Sequence, residues 1–183
     1  MTAVMRCLAC LLLVLIAIPA ARADLQPLAS AAYEYRSGLY NLRATDLSGD
    51  EARAELEELM SGPDQAAAET LAESMVPAGY EGFGLWMSLA DIKSRLGKGL
   101  QASYAAYLAT ENAMDSGQKA QGFLALGKAL EGINRGSEAL EAYDEAIRLT
   151  QDPDARAAYT RLSRAIPFHY EMFEISTEGD RPE

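Results

Sequence analysis

The chain has 183 residues, of which 49% are hydrophobic, and its 27 acidic and 16 basic side chains give a net charge of −11 at pH 7. Such a surface repels nucleic-acid phosphates and anionic lipid headgroups, which excludes nucleic acid from the partners that we expect. The acidity favours basic partners, but it is also the ordinary charge of a well-solvated surface.

Residues 1–23 have the layout of a secretory signal peptide. Arg6 precedes an apolar run over 7–18, and Ala21-Arg22-Ala23 then forms an A-x-A cleavage pattern. The run is shorter than the roughly 20 apolar residues of a spanning helix, so a retained membrane anchor is the weaker alternative. We therefore predict a periplasmic or secreted protein of the bacterial cell envelope, with no membrane insertion after cleavage.

Cleavage after Ala23 would change both the charge and the available chemistry. Arg6 and Arg22 would be lost, leaving 14 basic residues against 27 acidic ones and a net charge of −13. Cys7 and Cys10 would be lost as well, so the mature chain would have no disulfide and no thiolate metal site. A helical core must then hold the fold.

The first half of the chain predicts three helices and one irregular segment. An aromatic-rich pattern predicts a helix over 31–43, and Ser48 with Glu51 forms a capping box that opens a helix ending near Gly62. A third helix is predicted over 64–75. The segment 76–84 is rich in glycine and aromatic residues, which predicts a loop.

The second half of the chain predicts consecutive helical hairpins. Helices are predicted over 85–96 and 100–115, and two more lie on either side of a turn at 134–137. Asp152 suits a helix cap and Pro153 suits the first helical position, which predicts a last helix ending near Ala165.

A shift of 37 residues superposes two of these hairpins. Trp86 falls on Phe123, Ala90 on Gly127, and the small residues of the second helices also coincide. The pattern Phe123-x-x-Leu126-Gly127, with Ala139, Tyr143 and Ala146, resembles a tetratricopeptide (TPR) repeat. The resemblance covers about 86–165, with 153–165 as a capping helix; its alternative is a non-repetitive helical bundle.

The residues after Pro167 carry a second resemblance. The stretch 168–176 predicts a β-strand, and Thr177-Glu178-Gly179-Asp180-Arg181-Pro182 predicts a loop. An exported TPR-like region followed by such a strand and loop is similar to the start of bacterial alpha-2-macroglobulin-like proteins, which implies an envelope protease inhibitor. The thioester run of that family, Cys-x-Glu-Gln, does not occur in this chain.

No motif predicts catalysis, a cofactor or a metal. His169 is the single histidine, and there is no G-x-S-x-G nucleophile elbow. The series Asp46-x-Ser48-x-Asp50 lacks the glycine of a calcium loop, and a helix cap explains it better. An enzyme with a carboxylate site is the least favoured function, and we expect no enzyme activity.

The sequence therefore predicts an all-α fold of antiparallel helical hairpins, of TPR-like solenoid type, with a short strand-like tail. Its predicted divisions are the signal peptide 1–23, N-terminal helices and a Gly/aromatic loop over 24–84, the TPR-like repeats with their capping helix over 85–166, and the tail 167–183, which would begin a missing domain.

The predicted function is binding of a protein or peptide partner, either as the N-terminal part of an alpha-2-macroglobulin-like inhibitor or as a free-standing periplasmic TPR adaptor for envelope assembly or secretion. TPR ligands lie in the groove lined by the first helices of the hairpins. That resemblance implies four candidate groove residues: Lys93, Lys128, Glu131 and Asn134.

Overall fold

The computed structural model describes residues 25–165, and within that range the chain folds into eight α-helices with no strand. The helices are α1 (Gln26–Leu39), α2 (Gly49–Ser61), α3 (Gln65–Met75), α4 (Phe83–Arg95), α5 (Gly99–Glu111), α6 (Ser116–Gly132), α7 (Gly136–Thr150) and α8 (Pro153–Ala165). The predicted signal peptide and the predicted strand-like tail lie outside the described residues. Helices α2 to α8 pack in chain order, each against the next, around one continuous apolar core.

Three helical hairpins succeed one another, and each is closed by a turn of three residues. The turns are 62–64, 96–98 and 133–135, which join α2 to α3, α4 to α5 and α6 to α7. So short a connection forces the joined helices to lie antiparallel and side by side. The predicted arrangement of antiparallel helical hairpins is therefore confirmed for the described part of the chain.

The backbone of the last two turns confirms the 37-residue shift. Gly97 and Asn134 both have positive φ, at 73° and 61°. The amide of Lys98 donates to the carbonyl of Lys93 at 2.8 Å, and the amide of Arg135 donates to the carbonyl of Leu130 at 2.9 Å. Corresponding residues of the two turns are 37 positions apart, so the two hairpins share one turn geometry.

The first hairpin repeats the second with a shift of 34 residues. Helix α2 begins and ends 34 residues before α4, and α3 begins 34 residues before α5. Ala68 and Ala72 of α3 fall on Ala102 and Ala106 of α5, and all four are fully buried. The sequence alone did not register this hairpin, because α2 has Ala52 where α4 has Trp86.

Small residues let the helices approach closely. A Cβ placed on Gly127 of α6 would lie 2.4 Å from the ring of Tyr143 in α7, and one placed on Gly122 would lie 2.8 Å from Thr110 in α5. Ala139 and Ala146 of α7 are fully buried. The α6–α7 crossing therefore occurs where the sequence predicted small residues, whereas the close approach at Gly122 was not predicted.

Helix α1 does not continue the series of hairpins. It begins at Gln26, five residues before the predicted start, with Pro27 in its first turn, where proline needs no hydrogen-bonded amide. It packs across α5, and its Tyr33 meets Tyr107 edge to face with ring centroids 6.4 Å apart. The sequence placed a helix here but did not predict what it contacts.

Side-chain caps mark several of the predicted helix starts. The Ser48–Glu51 capping box is formed, with the Ser48 amide donating to Glu51 Oε2 at 3.0 Å. Asp152 Oδ1 accepts from the Ala155 amide at 2.8 Å and so caps α8. Among the helices of residues 25–165, none is both long and apolar enough to cross a membrane.

Candidate functional site

An open groove of about 900 Å³ lies between α2, α4 and the turn that joins α5 to α6. The first helices of the three hairpins, α2, α4 and α6, each contribute at least one residue to it. Its lining residues are Arg53, Leu56, Glu57, Met60, Ser61, Met75, Tyr80, Glu81, Gly82, Phe83, Gly84, Leu85, Ser88, Arg95, Met114 and Gln118. This volume falls within the range of pockets that bind peptides and small molecules.

The lining of the groove is largely apolar and includes three methionines. Met60, Met75 and Met114 come from α2, α3 and the α5–α6 turn, and Phe83 lies at the start of α4. Of the three methionines, Met75 is buried in the core, with 1% exposure. Met114 is 90% exposed, the largest exposure among the large hydrophobic residues of the described chain. Methionine side chains adapt to partners of different shape, so Met60 and Met114 suit apolar side chains of a bound segment.

Two tertiary contacts hold the loop 76–82, which forms one wall of the groove. The hydroxyl of Tyr80 donates to the carbonyl of Leu47 at 3.0 Å. Arg36 of α1 forms a bidentate pair with Glu81, in which its Nε donates to Oε1 at 2.9 Å. The hydrogen bonds that Arg36 donates to Glu81 raise the pKa of Arg36, so its guanidinium stays charged. The loop is therefore fixed from both sides despite its glycines.

The rim of the groove carries charges of both signs, and most of them are already paired. Arg95 binds Asp91 at 2.7 Å and donates to the carbonyl of Met60 at 3.0 Å. Arg53 pairs with Asp50, but both side chains are well exposed. The carboxylate of Glu57 is exposed and has no partner within residues 25–165. The rim therefore offers one carboxylate to a basic group on a ligand.

Lys93, which the TPR resemblance placed in the groove, is instead buried in an ion cluster. Its side chain is 1% exposed, and its Nζ donates to Glu69 and Glu73 at 2.6 Å each and to Gln101 at 2.9 Å. The carboxylates belong to α3, and the ring of Tyr35 in α1 lies 5.5 Å from the ammonium. Lys93 therefore joins helices and does not line the groove.

The other three predicted groove residues lie on α6 or its turn. Lys128 and Asn134 are exposed, and Asn134 adopts the left-handed conformation that closes the hairpin. Glu131 accepts from the Tyr143 hydroxyl at 3.0 Å and from Arg161 Nη2 at 2.9 Å, so it joins α6 to α7 and α8. Contact of Lys128 and Asn134 with a partner stays a prediction.

Sequence reasoning missed most of the groove. The loop 76–84 was recognised as irregular and aromatic, and that signal could have identified Tyr80 and Phe83. Met60 and Met114 gave no signal, because a methionine at helical spacing normally belongs to the core. Within residues 25–165 no group of three or more histidine, cysteine or acidic side chains is arranged to hold a metal ion.

Comparison with protein-family models and with curated proteins found no match to this chain.

Proposed function

We propose that this chain is an exported, TPR-like interaction module that binds an apolar segment of a protein partner in the groove formed by α2, α4 and the loop 76–82. The observation that carries this proposal is the largely apolar lining of the groove, which includes Met60, Phe83 and the 90% exposed Met114. An exposed apolar surface of this kind marks a binding site more often than it serves stability. Because Glu57 is the unpaired rim charge, the preferred segment carries a basic residue beside its apolar ones.

The repeat architecture supports the same function. Hairpins at shifts of 34 and 37 residues place α2, α4 and α6 in equivalent positions, and the groove is lined from these first helices. Arrays of this type present extended concave surfaces to peptides. Export rests on the pattern of residues 1–23.

The two biological settings suggested by the sequence differ in the part of the protein C-terminal to α8. An alpha-2-macroglobulin-like inhibitor remains a proposal that rests on residues 167–183, which lie outside the described range. A free-standing envelope adaptor is the alternative. The inhibitor and the adaptor would both use the same groove, so an experiment on peptide binding does not depend on which of the two is right.

A photo-crosslinking experiment tests the site. Random 12-residue peptides displayed on phage are selected on the chain, and the selected peptide is synthesised with a fluorescent label. A photoreactive phenylalanine analogue then replaces Met114 or, as the control, Leu100, which is 45% exposed on the second helix α5. We expect light-dependent labelling of the Met114 variant and little labelling of the Leu100 variant.

Two outcomes would contradict the proposal. Equal labelling at the two positions would show binding without a defined site, and failure to select any peptide above background would remove the groove as a peptide site. Selected peptides are expected to share apolar residues and to be enriched in lysine or arginine.

A further inference from the structure

The most acidic and the most basic of the eight described helices lie at opposite ends of the hairpin series. Helix α2 carries five carboxylates and one arginine, whereas α8 carries three arginines and one aspartate. Helix α2 packs mainly on α3, and α8 packs mainly on α7, so each has an outer face that no other helix of residues 25–165 covers. The remaining six helices have net charges between these two extremes.

The outer face of α8 is a shallow basic groove. Arg156, Thr160 and Arg164 recur at intervals of four residues, opposite the buried face of Ala155, Ala158 and Leu162. Thr160 and Ala157, which lies one helical turn before it, are small enough to let another helix approach. Arg156 bonds to the amide oxygen of Gln151, and neither Arg156 nor Arg164 has a carboxylate partner within residues 25–165.

The outer face of α2 matches it in charge and in length. Glu51, Glu55 and Glu58 are exposed at i, i+4 and i+7, and the carboxylates of Glu55 and Glu58 have no partner within the described chain. On a helix these three carboxylates span about 10 Å, and the stripe from Arg156 to Arg164 spans about 12 Å. Opposite charges at this spacing can pair along the whole stripe.

We propose that the basic face of α8 binds the acidic face of α2 in a second copy of this chain, so that copies associate head to tail. Within one copy, α4 contacts α6, which shows that the first helices of successive hairpins can pack on each other. In the contact between copies, α8 of one copy would pack on α2 of the next in the same way as α4 packs on α6. Because the two faces differ, the association does not close on itself as a symmetric dimer does, and it grows with concentration.

The contact is expected to be weak, because one helix face per copy buries less than the roughly 1,000 Å² of a stable interface. Its strength should come largely from charge. At about 0.01 M salt the Debye length is about 30 Å, and at about 1 M it falls to about 3 Å. We therefore expect association at low salt that disappears at high salt.

Sedimentation velocity of the chain from Asp24 to Glu183 over a concentration series tests the proposal. Wild type is expected to show a rising weight-average sedimentation coefficient at low salt. The variants R156E/R164E and E55K/E58K are each expected to remain monomeric. In the first variant the outer faces of α2 and α8 are both acidic, and in the second both are basic. An equimolar mixture of the two is expected to associate again, because each variant then finds an opposite face on the other.

Matched controls separate this contact from a general effect of net charge. R43E/K128E changes the net charge by the same amount as R156E/R164E, and E34K/D144K matches E55K/E58K; all four control positions are exposed and lie outside α2 and α8. Both controls should associate like wild type, and far-UV circular dichroism checks that every variant is folded.

A wild-type chain that stays monomeric at low salt would overturn the proposal, as would a mixture of the two reversed variants that fails to associate. Neither result bears on peptide binding in the groove.

Discussion

Replacing Lys93 with methionine is expected to lower the free energy of unfolding by about 3 kcal/mol, the typical cost of removing one partner from a buried ion pair. The ammonium is 1% exposed, and it satisfies carboxylates of α3 that are themselves only 11% and 23% exposed, Glu69 and Glu73. Methionine fills a similar volume but leaves those carboxylates without their central donor. Urea unfolding followed by circular dichroism measures the change.

Lys98 supplies the matched control. Its Nζ also binds Glu69, at 2.6 Å, but its side chain is 45% exposed. The variant Lys98→Met should therefore cost less than about 1 kcal/mol, as expected for a solvent-exposed ion pair. Equal costs for the two lysine variants would show that burial of Lys93 does not decide the energetics of the cluster.

The Lys93 cluster also predicts how stability depends on pH. Burial raises the pKa of Glu69, but hydrogen bonds and charge from Lys93 and Lys98 outweigh it, so the pKa lies below its usual value of 4.5. A lowered carboxylate pKa adds stability that is fully present above pH 4.5 and is lost as pH falls through the lowered value. The difference in stability between wild type and Lys93→Met should therefore shrink in acid below pH 4.5.

Replacing Gly127 with leucine is expected to destabilise the fold by about 3 kcal/mol, the upper end of the usual cost of overpacking. Even its Cβ would lie 2.4 Å from the ring of Tyr143. That ring cannot move freely, because it is fully buried and its hydroxyl is hydrogen-bonded to Glu131. The α6–α7 crossing must therefore open to admit the new side chain.

Gly132, at the end of the same helix, provides the comparison. A Cβ placed there has no atom within 4 Å, so Gly132→Ala should be neutral or stabilising by up to about 1 kcal/mol. Thermal unfolding of the two variants measures the contrast. A Gly127→Leu variant as stable as wild type would show that α6 and α7 do not cross at this glycine.

Helix periodicity and small residues were sufficient to predict the hairpins but not the partners of every helix. The 37-residue shift aligns Gly127 with Ala90. Only small residues allow two helices to cross closely, so this alignment located a helix crossing. The role of Lys93 could not be predicted in the same way. Its partners, Glu69 and Glu73, lie 24 and 20 residues earlier, on a helix whose register the sequence left open.

The groove was harder to predict for a related reason. Met60 and Met114 are separated by more than fifty residues and meet only because α2, α4 and the α5–α6 turn adopt the repeat geometry. Helical periodicity marks such residues as apolar and does not distinguish a groove from a core. The resemblance to TPR repeats directed attention to the first helices, but it named Lys93, whose side chain is 1% exposed.

A paired glycine substitution tests most directly whether the groove binds a protein segment. Gly84 lines the groove and Gly38 lies on α1; both are exposed, and a Cβ at either meets no atom within 4 Å. Tryptophan should therefore fit at both positions without unfolding the chain, but only Gly84→Trp should fill the groove.

Isothermal titration of the selected peptide into wild type, Gly84→Trp and Gly38→Trp gives the decisive comparison. We expect Gly84→Trp to weaken binding at least about tenfold, a loss of about 1.4 kcal/mol, while Gly38→Trp binds like wild type. Wild-type affinity in the folded Gly84→Trp variant would contradict the assignment of the groove as the binding site.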